Sequence, residues 1–408
     1  MTEFDRFLSR AARTMQGSAI RRMGVLTADR HDVISFAPGY PAMDTCPWDA
    51  FREIATELLS GSDGSVLQYG PTRGFRGLLE ALVEVLATRG ILSAPPEIIV
   101  TSGSQQGLDL VARVLVDPGD IVLVELPTYT GAIAAFRNVQ ATLVGVRQGP
   151  DGIDLDQLDS VLARERGSGR RVAFLYVVPN FQNPTGLLIR LDTRRHLLAW
   201  AARRDVLIVE DDPYGDLYFE DSATPAETRP LKADDRDGRV VYLSSFSKTL
   251  APGYRVAWIA APAEIASKIE LAKQATDLCT GMLDQRIVHE ACRRGLLASQ
   301  APRLRQHYRE KRDAMLRALR VEFTSTASWL EPRGGFFVWV TLPTTCDADA
   351  LIPRALDSGV IYVAGSAFYV EDARRNTIRL AFSAADPEHI AEGTRRLARV
   401  VREQAAGD

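Results

Sequence analysis

The chain has 408 residues, and its 49 Lys and Arg against 52 Asp and Glu give a formal net charge of −3. Hydrophobic residues make up 46% and charged residues 25%, a balance that excludes collagen-like, disulfide-rich and wholly disordered chains. The near-neutral charge carries no electrostatic footprint for nucleic acid, and no apolar run reaches the ~18–20 residues that cross a membrane. At about 100–200 residues per domain, the length allows two or three domains.

The N-terminal residues 1–17 lack the apolar core of a signal peptide and predict an amphipathic helix. The four cysteines form no C-x-x-C pair and the five histidines no HExxH motif, so we expect neither a metal site nor a disulfide framework. Scattered unpaired thiols are typical of a reducing compartment, which favours a cytoplasmic location.

Short apolar, β-branched segments alternate with helical patterns through the middle of the chain. Strands are predicted at 97–101, 120–125, 172–178, 206–210 and 240–244. Helical patterns follow at 106–116, 130–137 and 190–204. This alternation predicts an α/β fold with a mostly parallel sheet covered by helices.

The remainder of the chain has a different pattern. The polar stretch 221–238 predicts a surface loop, and long helical patterns begin at about residue 263. Strand patterns at 335–342, 362–364 and 377–381 then predict a smaller α+β domain, with which the N-terminal segment packs.

Polar side chains follow the predicted strands, where ligands bind in open α/β sheets. A small-residue turn, Ser102–Gly103–Ser104–Gln105, opens a helix after the first strand, and either seats a phosphate or is an ordinary helix cap. The others are Asn183 in an N-P-T-G turn, Asp211, Tyr214, Ser245, Ser247, Lys248 and Arg255.

Each of these residues also has an ordinary structural alternative. Asp211 could cap a helix, and Lys248 could be a surface lysine instead of a Schiff-base nucleophile. Together, an amide, an acid, a phenol, a lysine and a phosphate seat match the needs of pyridoxal phosphate. The S-x-x-K pattern of Ser245–Lys248 also matches the acyl-enzyme motif of β-lactamases. The SDN and KTG motifs that accompany it in those enzymes are absent from this sequence.

Ten stretches in order identify a resemblance that covers nearly the whole chain. They are SAIRRMG (18–24), ISFAPGYP (34–41), LQYGPTRGFRGLLEAL (67–82), VTSGSQQGLDL (100–110), PTYTG (127–131), PNFQNPTG (179–186), VEDDPYGDLYF (209–219), SSFSKTLAPGYRVAW (244–258), PRGGFFVWVTLP (332–343) and IRLAFS (378–383). The chain resembles the fold-type I pyridoxal-phosphate aminotransferases of class I/II. Within them it is most similar to the group of 2-aminoadipate and kynurenine aminotransferases.

The resemblance implies a role for each matching residue. Lys248 would form the aldimine with pyridoxal phosphate and move the substrate proton, and Asp211 would pair with the pyridinium nitrogen. Tyr129 would stack on the ring, and Asn183 and Tyr214 would bind its phenolic oxygen. The phosphate would be held by Ser104, Gln105, Ser245, Ser247, Arg255 and, from the other subunit, Tyr69.

Substrate residues follow from the same resemblance. Arg379 would bind the substrate α-carboxylate, and an inward-facing arginine in a strand is unusual without an anionic partner. Gly39, Tyr40 and Arg21 would lie near the substrate, although Arg22 adjoins Arg21 and a solvated helix surface is an equal alternative. The N-terminal motif departs from the family at Pro38 and Tyr40, which bears on substrate identity.

The resemblance therefore predicts a cytoplasmic homodimer with composite sites that transfers an amino group from an L-α-amino acid to a 2-oxo acid. Its domains are expected at 1–47 (N-terminal segment packing with the small domain and the partner subunit), 48–285 (large) and 286–408 (small). One alternative is another pyridoxal-phosphate reaction on this scaffold: an amino-acid cyclase, oxidase, lyase or decarboxylase. A transcription regulator with a DNA-binding head is not expected, because the resemblance begins within about twenty residues of Met1.

Overall fold

The computed structural model describes residues 4–15, 17–26, 30, 32–324 and 327–407. Their α-helices are α1 (Arg10–Thr14), α2 (Ala19–Leu26), α3 (Trp48–Ser60), α4 (Arg76–Thr88), α5 (Ser104–Leu115), α6 (Thr130–Asn138), α7 (Leu155–Gly167), α8 (Leu191–Arg204), α9 (Ala263–Gln274), α10 (Met282–Arg293), α11 (Leu296–Phe323), α12 (Ile352–Asp357) and α13 (Pro387–Gly407).

The strands of the same residues are β1 (Ile34–Ser35), β2 (Ile98–Thr101), β3 (Ile121–Leu126), β4 (Thr142–Gly149), β5 (Gly152–Ile153), β6 (Val172–Val177), β7 (Leu207–Asp211), β8 (Val240–Ser245), β9 (Ala257–Ala260), β10 (Ser328–Trp329), β11 (Phe337–Thr341), β12 (Val360–Ile361), β13 (Val363–Ala364) and β14 (Thr377–Ala381). Short 3-10 helices lie at Asp5–Phe7, Met43–Thr45, Gly64–Leu67, Pro95–Glu97, Leu231–Asp234, Pro252–Tyr254 and Gly365–Phe368.

The large sheet has eight strands in the order β2-β9-β8-β7-β6-β3-β4-β5. The pairings β8–β7, β7–β6, β6–β3 and β3–β4 are parallel, while β9 pairs antiparallel with both β2 and β8. The prediction of a mostly parallel sheet is confirmed. Sequence analysis had not predicted β4, β5 or β9.

Both faces of this sheet are buried because successive strand residues point in opposite directions. Val122 and Val124 of β3 join the apolar cluster of α5 and α6. Ile121 and Leu123 of the same strand join the cluster of α7 and α8. The near-continuous apolar composition of the strand follows from this two-sided cover.

The small sheet is antiparallel, in the order β10-β11-β14-β13, and α11 and α13 pack beside one another. The N-terminal β1 pairs in parallel with β12, so the segment before residue 48 contacts the C-terminal part of the chain. The predicted smaller α+β unit is confirmed.

The expected domain boundary at 285/286 falls inside α10. Ile287, Val288 and Ala291 of α10 belong to the apolar cluster of α3 and α4. The cluster of the small sheet takes up α11 only from Leu304 onward. We therefore propose that the division between the domains lies within the first turns of α11.

The polar segment 221–238 is less exposed than a surface loop would be. Its 3-10 helix includes Leu231, which is buried, and the backbone N–H groups of Leu231 and Lys232 each donate to the Glu210 carboxylate at 2.8 Å. Hydrogen bonds to a carboxylate inside the sheet hold this segment against α8 and β8. No helix in the described ranges is long and apolar enough to cross a membrane.

Replacing Phe136 by Ala tests the packing of α6 on the sheet. Its fully buried ring makes edge-to-face contacts with Phe174 at 5.2 Å and Tyr176 at 5.4 Å between centroids. The cavity left by Phe136→Ala should lower the free energy of unfolding by ~3–5 kcal/mol in urea denaturation. Leu92→Ala, at a side chain that is 90% exposed, is the control and should change it by less than ~0.5 kcal/mol.

Candidate active site

Six strands of the described residues, with β4 among them, end at one edge of the large sheet. β8, β7, β6 and β3 are parallel neighbours, and β2 has the same direction because β9 is antiparallel to both β2 and β8. The chain order reverses between β6 and β3, which is the switch point at which α/β sheets bind ligands. The polar residues predicted after these strands are therefore brought to one place.

Lys248 lies in the turn that follows β8. Its Nζ donates to the carbonyl oxygen of Gly39 at 2.9 Å and lies 5.9 Å from the centroid of the Tyr214 ring. Burial, together with the cations Arg379 and Arg255, lowers the pKa of Lys248 to about 8 against the opposing effect of Asp211. The amine is thus close to neutral at a pH where an exposed lysine is fully charged.

Asp211 ends β7 and lies at the bottom of the site. Its Oδ2 accepts a hydrogen bond from the Tyr176 hydroxyl at 2.8 Å, while its Oδ1 is buried without a hydrogen-bond partner. Burial raises the pKa of Asp211 to about 7, against the opposing effects of the Tyr176 hydrogen bond and Lys248. An unsatisfied buried carboxylate oxygen is costly, and a cationic N–H would satisfy it.

Arg379 projects from β14 of the small sheet and is fully buried. It donates to Asn183 Oδ1 at 2.8 Å and to the carbonyl oxygen of Ala37, and it lies 4.4 Å from the centroid of Phe337. Its Nε has no hydrogen-bond partner, and no carboxylate of a described residue pairs with it. Burial lowers its pKa to about 10, the direction expected for a cation that lacks a counter-charge.

The predicted phosphate seat lies at the start of α5. Gly103 precedes this helix with φ of +86°, and no side chain caps the N-terminus. A Cβ at this position would lie 2.0 Å from Nη2 of Arg255, so glycine makes room for the guanidinium. Backbone N–H groups and an arginine beside them form a pocket suited to an anion.

Four further predicted residues border this seat. Ser245 Oγ accepts from the backbone N–H of Ser247 at 2.8 Å, and both serines are buried. Gln105 donates through Nε2 to the carbonyl oxygen of Gly131 at 2.9 Å, beside Tyr129. Ser104 is the first residue of α5.

The two predicted ring-binding tyrosines are also in the site. Burial raises the pKa of Tyr129, as does Asp211, whereas Arg379, Arg21 and Arg255 lower it. Tyr129 therefore interacts electrostatically with each of these charged groups, and Arg21 on α2 is one of them. Tyr214 is buried, with its ring edge-to-face against Phe336 and Phe337.

Five of the predicted site residues are exposed in the single chain: Arg21, Tyr40, Tyr69, Gln105 and Arg255. Tyr69 is 78% exposed, and Tyr40 is 60% exposed, although the Tyr40 carbonyl oxygen accepts from Ser383 Oγ at 2.7 Å. No hydrogen bond of the described residues joins the Tyr69 hydroxyl to the site. The structure therefore does not bring Tyr69 to the other predicted residues of its own chain.

Sequence analysis missed several groups that line this site. Tyr176 was predicted only as part of an apolar strand. Its hydroxyl, a single polar group in that strand, is the one feature that could have marked it. The carbonyl oxygens of Ala37 and Gly39 act through the backbone, which carries no side-chain signal. Phe336 and Phe337 lie beside Lys248 and Arg379 because β11 and β14 are neighbours.

The comparisons with known proteins agree with this site. The family model of aminotransferase class I and II matches residues 31–397. The chain is 40% identical to aromatic-amino-acid aminotransferase 1 of Thermococcus litoralis, over 98% of this chain and 95% of that one. This chain belongs to the class I and II aminotransferases, as the resemblance predicted.

Two solved structures are similar over essentially their full lengths. A kynurenine aminotransferase of Pyrococcus horikoshii, solved with PMP, is 40% identical with a TM-score of 0.92 over 98% of both chains. The alpha-aminoadipate aminotransferase of Thermus thermophilus, complexed with N-(5'-phosphopyridoxyl)-L-leucine, is 39% identical with a TM-score of 0.91 over 100% of both. The chain is a fold-type I enzyme that transfers an amino group between an amino acid and a 2-oxo acid with pyridoxal phosphate.

The residues present fit this cofactor on the geometry alone. The buried, unpartnered Oδ1 of Asp211 suits the protonated nitrogen of the ring. The space at Gly103 beside Arg255 suits the phosphate, and Nζ of Lys248, with its lowered pKa, lies 5.9 Å from the ring centroid of Tyr214 and 5.6 Å from that of Phe336. The comparisons favour amino transfer over the cyclase, oxidase, lyase and decarboxylase alternatives.

The lowered pKa of Lys248 predicts a pH dependence for its reaction with added pyridoxal phosphate. Only the neutral amine attacks an aldehyde, so the rate at which the visible absorption band forms in cofactor-free protein should rise with pH through about 8. Arg379→Gln removes a cation that lowers the pKa of Lys248, so the midpoint of the rate against pH should move to higher pH. Arg374→Gln, at an exposed arginine, should leave it unchanged; a wild-type midpoint near 10.5 would contradict the assignment.

Proposed function

We propose that this chain is a cytoplasmic, homodimeric aminotransferase for L-α-amino acids with aromatic or acidic side chains. The observation that carries the proposal is Arg379, a fully buried guanidinium with an unsatisfied Nε and no carboxylate partner among the described residues, in the same site as Lys248. A cation held in this way is prepared for an anionic group that arrives from solution.

The cofactor-binding residues are assigned from the groups that each can offer. Asp211 would hold the protonated ring nitrogen, and Asn183 and Tyr214 the phenolic oxygen. Tyr129 would cover the ring face. The phosphate would be held by Ser104, Gln105, Ser245, Ser247 and Arg255. When bound, pyridoxal phosphate supplies an electron sink for the substrate Cα.

Lys248 is the proposed catalytic residue because it is the one lysine among these groups. Its pKa of about 8 leaves a substantial fraction of the amine neutral near pH 7–8, so that Nζ accepts a proton from the substrate Cα and returns it at the next step. The Gly39 carbonyl oxygen accepts from Nζ at 2.9 Å and holds it in place. The aromatic rings of Tyr214 and Phe336 lie on one side of this nitrogen, with their centroids at 5.9 and 5.6 Å.

Arg379 would bind the substrate α-carboxylate through its planar fork. Asn183 already accepts a hydrogen bond from one Nη, so the guanidinium is oriented before the substrate arrives. Because the cation is desolvated, the arriving carboxylate gains a strong interaction and relieves the cost of burial. Gly39 leaves space beside Phe337, where a Cβ would lie 2.5 Å from the ring.

The side-chain preference rests on α2 and on the relatives. Arg21 lies within electrostatic reach of Tyr129, at the mouth of the site, with Tyr40 as a second exposed group of the N-terminal segment. A guanidinium receives both a carboxylate and an aromatic face. The similar proteins are named for aromatic amino acids, kynurenine and alpha-aminoadipate, which have one or both of these groups.

A dimer with composite sites is supported by the exposure of Tyr69. A tyrosine with 78% exposure in the single chain has its hydroxyl available to a second copy, whose phosphate seat it would complete. The cytoplasmic location is supported by the four cysteines, all of which are thiols in the structure.

The first experiment is an absorption titration of the protein with bound pyridoxal phosphate, adding single L-amino acids without an acceptor. Phenylalanine, kynurenine, glutamate and 2-aminoadipate should each remove the visible band, and a 2-oxo acid should restore it. Lys248→Ala should lower the half-reaction rate by at least about 10³-fold. Lys268→Ala, at an exposed lysine, is the matched control and should behave as wild type.

Oxygen consumption, carbon dioxide release or a band that a 2-oxo acid does not restore would contradict amino transfer. A normal half-reaction in Lys248→Ala would contradict the catalytic assignment. If alanine alone were accepted, the side-chain preference would be wrong while the function stood.

Composite sites predict complementation between two inactive variants. In a co-expressed mixture of Tyr69→Phe and Lys248→Ala chains, each heterodimer has one site with both substitutions and one intact site. Random assortment should therefore restore about one quarter of wild-type activity, well above either parent. Recovery no greater than the mean of the two parents would mean that Tyr69 does not act across the interface.

A further inference from the structure

A buried polar cluster lies directly behind the proposed phosphate seat and is used by none of the roles assigned above. It consists of Ser102, Gln106, Lys273, Asp277 and Thr280, and we refer to it as the phosphate-turn cluster. The Lys273 side chain is fully buried, and its Nζ donates to both Asp277 oxygens at 2.8 Å. The ion pair joins the C-terminal end of α9 to the segment that follows it.

The cluster fixes the turn between β2 and α5 from two directions. Ser102 Oγ donates to Asp277 Oδ2 at 2.9 Å, and the Ser102 backbone N–H donates to Gln106 Oε1 at 2.7 Å. Gln106 in turn donates to Asp277 Oδ2 at 2.6 Å, and its Oε1 also accepts from Lys273 at 3.1 Å. Ser102 is therefore held by the ion pair directly through its side chain, and through its backbone by way of Gln106.

Burying a lysine side chain completely costs free energy, which only a well-formed ion pair with further hydrogen bonds offsets. Here, the ion pair holds the residue before Gly103, whose φ of +86° aims the start of α5 past the Arg255 guanidinium. A loosened Ser102 would let the turn leave this conformation, because glycine has many other backbone conformations open to it. The backbone N–H groups at the start of α5 would then lose their direction toward an anion.

The far side of the cluster is anchored as firmly. Thr280 Oγ1 accepts from Lys273 at 3.1 Å, and its carbonyl oxygen accepts from Gln285 Nε2 at 2.7 Å. Gln285 is fully buried on α10, and its Oε1 accepts from the backbone N–H of Phe75. The turn between β2 and α5 is thus connected to α10 and to the segment before α4 through buried side chains.

We propose that Lys273 and Asp277 are positioning residues that hold the Ser102–Gly103 turn in the conformation that binds the cofactor phosphate. The inference rests on the proposed phosphate seat, and adds two residues that do not touch the cofactor. It predicts that the cluster acts on the phosphate alone, because it supports only the turn at that end of the site.

The experiment compares the affinities of reconstituted protein for pyridoxal phosphate and for pyridoxal, which lacks the phosphate. Both dissociation constants come from absorption titration. The pyridoxal constant divided by the pyridoxal phosphate constant measures what the phosphate contributes to affinity. In Lys273→Met, this ratio should fall about tenfold or more, the size expected for charge-assisted hydrogen bonds, while the pyridoxal constant stays within about twofold.

Ser102→Ala is the second variant, and it leaves the buried ion pair in place should Lys273→Met fold poorly. It should lower the same ratio, and Ser102→Thr, which keeps the hydroxyl, should restore it. Lys232→Met is the matched control: it breaks another lysine–aspartate pair of helical spacing, with Asp235 at 3.1 Å, and should leave the ratio unchanged.

Equal weakening of both ligands would reveal a merely structural role and overturn the inference, as would an unchanged ratio in Ser102→Ala. A wild-type protein that binds pyridoxal as tightly as pyridoxal phosphate would instead contradict the proposed phosphate seat. The two failures are therefore distinguishable.

Discussion

The site depends on cations that are kept out of water without full compensation. Lys248 is half-buried beside the fully buried Arg379, which lowers the pKa of the lysine, while Asp211 has the opposite effect on Lys248. Burial lowers the pKa of Lys248 to about 8 and raises that of Asp211 to about 7, so both groups titrate much closer to neutral pH than exposed side chains of their kind. An anionic substrate and a cofactor with a cationic ring both relieve this imbalance, and binding is thereby directed to this one edge of the sheet.

The fold produces this imbalance by joining two sheets. Lys248 and Asp211 come from the parallel sheet, whereas Arg379 comes from the antiparallel one, and Asn183 is the residue that bonds across the junction to Arg379. The N-terminal segment closes the site with backbone groups, since the carbonyl oxygens of Ala37 and Gly39 accept from the two cations. Neutral carbonyl oxygens orient these cations without cancelling their charge, which keeps both available for chemistry.

Supporting polar groups lie one layer behind the site. Tyr176 holds Asp211 from the middle of a strand, and the phosphate-turn cluster holds Ser102 from behind α5. Such groups restrict the rotamers and backbone of the residues in front of them, which limits the reorganisation needed on binding. The turn at Ser102 and the end of β7 at Asp211 are therefore held in place by residues that do not contact the ligand.

The amino-acid sequence was sufficient to predict the class of fold and the strand ends at which most candidate site residues lie. Apolar runs mark β3, β6 and β8 because both faces of a parallel sheet are buried, and the ends of such strands are where Asn183, Asp211 and Lys248 are found. Only the tertiary structure decided what links distant segments: the antiparallel insertion of β9, the course of α10 across the expected domain boundary, and the ion pair of Lys273 with Asp277 behind the phosphate turn. Local patterns encode which face of an element is buried. The partner against which it is buried, and hence the unpaired Oδ1 of Asp211 and the pKa of Lys248, arises only when segments far apart in the chain exclude water together.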